Sequence, residues 1–114
     1  MKVDVRHFDD VIIVDLDGRL VGGVGDELLR DIVNELLAEG WKKIVINLKA
    51  VTVLDSSGIG ELVAGWKLSH RFDAEIKLLR PRPQIERTLK LTRILPLLEV
   101  YDEDEAAVAS FQLA

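Results

Sequence analysis

The chain has 114 residues, 48% hydrophobic and 31% charged, with a formal net charge of -5 and no cysteine. That length supports one domain, residues 1–114, around a single core, and the low aromatic share of 5% makes that core aliphatic. The missing cysteines exclude disulfides, thiolate metal sites and cysteine nucleophiles, the acidic balance argues against nucleic acid as a direct partner, and no segment approaches the roughly 20 apolar residues of a membrane span.

The N-terminal MKVDVRHFDD lacks the apolar region of a secretory signal, so a cytoplasmic chain is expected. Val3 and Val5 alternate with polar residues, and "VIIVDL" follows after Asp9-Asp10; the spacing predicts two strands joined as an antiparallel hairpin. "DGRLVGGVG" places four glycines within residues 18–25 and reads as a connection too flexible for a regular element. From Asp26 to Glu39 the apolar residues Leu28, Leu29, Ile32, Val33, Leu36 and Leu37 form a helical stripe, with Gly40 placed to end it.

"KIVINL" is continuous enough to be a strand buried on both faces. A second helix is marked by Ile59, Leu62, Val63 and Trp66, reaching about His70, and "EIKLLR" makes a short strand. Pro81 and Pro83 introduce a third helix, with Ile85 and Leu89 inward. "LPLLEVY" reads as a last strand or extended piece, and "DEDEAAVASF" starts a final helix behind four acids. The order β-β-α-β-α-β-α-β-α describes an α/β fold, a mixed sheet with helices mainly on one side.

The chemistry-bearing stretch is Asp55-Ser56-Ser57-Gly58-Ile59-Gly60, between a strand and a helix. Unpaired N–H groups and a partial positive charge gather at such a helix start, and they favour an anion. Asp55 or either serine can cap the helix. Gly58, Gly60 and Gly65 each weaken it by about 1 kcal/mol relative to alanine, so each asks for the close approach of another backbone. That backbone can belong to the fold, or to a partner protein to which a serine hydroxyl is offered.

An enzymatic serine needs a base, and the chain holds only His7 and His70, neither an evident partner. No G-x-S-x-G, Walker or dinucleotide pattern is present. A receiver-like reading built on Asp15, Asp17 and Asp55 fails on topology, because Asp9-Asp10 leave room only for a turn where a helix is needed. Residues 77–93 carry six bases and one acid, read as a solvated helix face rather than a nucleic-acid patch. Asp102 to Glu105 read as dipole compensation rather than a cation site.

"IVINLKAVTVLDSSGIGELV", with the early "DGRL" and the late "LKLTRILPLLEVYDEDEAAVASF", resembles the STAS domain of bacterial anti-sigma factor antagonists. The resemblance implies a binding protein rather than an enzyme, with no cofactor and no metal. In that family the first serine of the motif accepts phosphate from a partner kinase that is itself an anti-sigma factor, and the matching position is Ser56. Asp55, Ser57, Gly58, Ile59 and Gly60 would shape the turn and meet the partner, and a serine phosphatase would reset it. A scaffold subunit of a stress-signalling or transporter-associated complex is the alternative, and self-association is left open. Two positions depart from the family pattern. Val21 stands where many members carry an aspartate, and Phe72-Asp73-Ala74 replace a glycine pair.

Overall fold

The computed structural model describes residues 1–113. Strands β1 (Lys2–Phe8) and β2 (Val11–Leu20) form the expected hairpin, Phe8 opposite Val11. Asp9 takes the left-handed conformation (φ 54°), which an aspartate tolerates in a tight turn. Helix α1 (Gly25–Ala38), β3 (Lys43–Leu54), α2 (Ser56–Arg71), β4 (Glu75–Leu79), α3 (Pro83–Leu91), β5 (Val100–Tyr101) and α4 (Asp104–Ser110) follow. A short 3-10 turn closes at Phe111–Leu113. The sheet order is β1-β2-β3-β4-β5, antiparallel only between β1 and β2.

Helices α1, α2 and α3 cover one face. Ile12, Val14 and Leu16 of β2 and Ile44, Ile46 and Leu48 of β3 meet Leu29, Val33, Leu62, Ile85 and Leu89 there in one aliphatic core. The alternate residues Val11, Ile13 and Val45, with Leu79, meet Ala107 of α4 and Phe111 on the other face. Gly40 ends α1 as expected, at φ +96°: its N–H donates to the Leu37 carbonyl and Trp41 N–H to the Leu36 carbonyl.

Three expectations are corrected. Asp17 to Leu20 are strand, not flexible connection: β3 is 12 residues long and supplies ladder partners as far as Leu20 opposite Leu54, with two register shifts on the way. Tertiary pairing here overrides the weak strand preference of Gly18. Leu28, counted in the apolar stripe of α1, is exposed. Of "LPLLEVY" only Val100 and Tyr101 are strand, because the segment before them turns back on itself, Leu98 N–H to Ile94 carbonyl, and buries both side chains.

Candidate functional site

The parallel strands end at a turn built from two chain segments. Asp55 is the extended residue before α2, and its Oδ1 accepts a hydrogen bond from Gly58 N–H at 2.9 Å. Its Oδ2 accepts from Gly22 N–H at 3.0 Å, so one carboxylate ties the β2–α1 loop to the start of α2. The Gly22 and Gly58 amides hold the Asp55 carboxyl below the ordinary carboxylate range, outweighing the small opposing cost of desolvation.

The glycines separate into kinds. A Cβ on Gly58 would stand 2.2 Å from the Leu20 carbonyl oxygen, so the fold itself requires glycine there. A Cβ on Gly22 would lie 2.9 Å from Ser57 Oγ, which shows how closely the early loop is laid against the second serine. Gly65 has only ordinary contacts, at 3.6 Å from Ile76 and Val33, and the close backbone approach expected there is absent. Gly60 is exposed with nothing within 4 Å of where its Cβ would be.

Ser56 and Ser57 are both exposed, and among the described residues neither hydroxyl makes a hydrogen bond. Ile59 is half-buried against the edge of the main core. The expected residues therefore lie together, with Ser56, Ser57 and Gly60 on the exposed side. Sequence reasoning missed Gly22, whose only signal was the glycine density of residues 18–25. It also missed the apolar surface on the segments entering and leaving the turn: Val24 is 59% exposed, Val53 39% and Leu28 37%.

The histidines stand elsewhere. His70 lies 14 residues along α2 from Ser56, roughly 21 Å at 1.5 Å per residue, with its ring edge-on to Trp66. His7 is paired with Ile12 near the start of β2, at the other end of the sheet. Neither can take a proton from Ser56 in this fold. Among the described residues no group of three or more His, Asp or Glu side chains could hold a metal ion, and no helix is long and apolar enough to cross a membrane.

The basic stretch is not one solvated helix face. Lys77 is buried, bonding Ser110 Oγ at 2.9 Å and Glu99 at 3.2 Å above the Phe111 ring. Arg80 donates to the Asp102 carbonyl and Glu103, and Arg82 to the Lys49 carbonyl. Of the acids, Asp104 is tied to Arg6 at 2.9 Å, so this cluster answers side chains of the sheet.

The STAS domain family profile matches residues 2–107. An anti-sigma F factor antagonist of Paenibacillus polymyxa is 23% identical over 113 residues, covering 99% of this chain and 97% of that protein. The crystal structure of an anti-sigma factor antagonist from Mycobacterium paratuberculosis superimposes with a TM-score of 0.84 at 22% identity, covering 96% of this chain and 92% of that one. The structure of the Bacillus cell fate determinant SpoIIAA in the phosphorylated form gives a TM-score of 0.73 at 19% identity, covering 96% of this chain and 99% of that one. With this profile spanning nearly the whole chain and the motif turn in place, the chain belongs to the STAS domain family.

Proposed function

We propose that this chain is an anti-sigma factor antagonist, a binding module that sequesters a serine-kinase anti-sigma factor and releases it when that kinase phosphorylates Ser56. The observation that carries this reading is the Ser56 hydroxyl in the first turn of α2, exposed and without a hydrogen-bond partner among the described residues. The names of the relatives supply the partner class.

The physics of the switch follows from the turn. A phosphoserine carries about -1.5 to -2 charges. At the start of a 16-residue helix the free N–H groups and the dipole accommodate that charge, so the domain stays folded. At a protein interface the same group must be desolvated beside Asp55, which is already ionised, and docking is lost. The open side of Gly60 and the exposed Val24, Leu28 and Val53 give a partner room and apolar contact next to Ser56. A serine phosphatase resets the state, in the cytoplasm where sigma factors work.

Val21 favours a second reading. It is half-buried beside the turn, an apolar residue where many members carry an acid. A scaffold subunit that never accepts phosphate would keep the surface and dispense with the switch. Affinity capture from the native cells with wild type, Ser56→Ala and Ser56→Asp separates the two. Under the switch, wild type and Ser56→Ala retain a protein with a serine-kinase domain and Ser56→Asp does not. Equal retention by all three rejects the switch in favour of the scaffold.

A further inference from the structure

We infer that the chain self-associates head to tail, the C-terminal end of α3 in one copy entering an apolar groove beside α4 of the next. The groove, about 310 Å³, is lined by Phe8, Asp104, Glu105, Val108, Ala109 and Gln112. Its floor is apolar and its edge acidic. Phe8, 45% exposed, is paired opposite Val11 of the small core and lines the groove together with Val108 and Ala109 of α4. Asp104 is answered by Arg6 at 2.9 Å and by Arg80 at 3.7 Å, but the carboxylate of Glu105 has no ion-pair partner among the described residues, and neither do those of Asp9, next to Phe8, and Asp102.

A complementary feature stands on the opposite face. Leu91, at the end of α3, is 77% exposed, more than any other large apolar side chain of the described core and surface. Arg87 lies one turn before it on the same side of the helix, Lys90 beside it and Arg93 just beyond. Among the described residues Arg87 and Arg93 make no ion pair, and Lys90 reaches only Glu86, at 3.8 Å. A single exposed leucine needs no explanation. A leucine set among three cations, in a molecule that also carries an acid-edged apolar groove, is matched in polarity and charge to a second copy of itself.

Because α3 packs on the α1–α2 side and α4 on the other, the knob and the groove do not overlap within one copy. The contact is heterologous, leaving each pair with one free knob and one free groove, so assembly continues into rings or open chains. Phe8 ends β1 and Val11 opens β2, whereas Ser56 follows the far end of β3, so the groove side of the contact leaves the motif turn free.

Sedimentation velocity of the purified protein tests this. Wild type should rise above its 12.8 kDa monomer mass as concentration increases at low salt, and fall back at high salt. Leu91→Asp and Ala109→Arg, both at exposed positions, should each stay monomeric. Mixed together they should form a species of twice the monomer mass and nothing larger, since one retains the groove and the other the knob. Ser56→Asp should assemble like wild type, which keeps this inference separate from the phosphorylation switch. A wild type that stays at monomer mass overturns the proposal and leaves the groove to a basic segment of another chain. So does assembly that survives either single substitution, or a mixture that stays monomeric.

Discussion

The turn at Asp55 and the α4 side of the sheet are both polar, yet they are built in opposite ways. On the α4 side the charges between the sheet and the helix answer one another, and only acids at the outer edge, such as Glu105, stand unpaired among the described residues. Arg6 forks onto Asp15 at 2.7 and 2.9 Å and reaches Asp104, Asn47 donates to Asp15 at 2.8 Å, and Lys77 meets Glu99 and Ser110. At the turn, backbone amides answer Asp55, while among the described residues the Ser56 hydroxyl and the space beside Gly60 are left unanswered. Polar groups that satisfy each other hold a helix to a sheet. Polar groups that the fold positions and leaves free are available to something outside it.

Substitutions can sharpen that contrast. Gly58→Ala should have the largest effect, destabilising by about 1–3 kcal/mol as the new methyl meets a backbone oxygen that has nowhere to go. A fall in the urea midpoint with unchanged slope would show it. Arg6→Ala should cost about 1 kcal/mol, small because both ends of its ion pairs keep access to water, and the loss should shrink in high salt.

The same pair sets an acid limb. Burial pushes the Asp15 carboxyl up, but the Arg6 guanidinium and the Asn47 amide together outweigh it and leave the group below the ordinary range. A depressed folded-state pKa adds stability at pH values above the unfolded-state pKa. That increment is lost as pH falls through the folded value. Thermal melts from neutral to strongly acidic pH should therefore decline on the acid side, and the decline should be shallower in Arg6→Ala. Gly60→Ala should change stability least in the harmful direction, raising it by up to about 1 kcal/mol, since alanine favours helix and meets nothing. Affinity for the captured kinase should fall all the same, and a variant that binds as wild type would remove Gly60 from the interface.

Much of this organisation was legible in the chain. The hairpin, the α1 stripe, the buried β3 and the capped start of α2 follow from period, turn residues and caps, and so does the grouping of Asp55 to Gly60. The extension of β2 to Leu20 was not, because its hydrogen bonds come from β3, which lies more than 20 residues away in sequence. Nor could spacing separate Gly58 from Gly60: both are glycines in one helical turn, and only the path of Leu20 distinguishes them. The same holds for Lys77, whose position in a basic run conceals that its ammonium is enclosed by Glu99, Ser110 and an aromatic ring.

The central claim is that Ser56 carries the switch, and intact-mass measurement with site mapping on the protein from its own cells tests it most directly. The expected result is a fraction of the protein bearing one phosphate, on Ser56, absent from a Ser56→Ala control and varying between growth and stress conditions. Unmodified protein under every condition, or phosphate on another residue with Ser56 untouched, would contradict it.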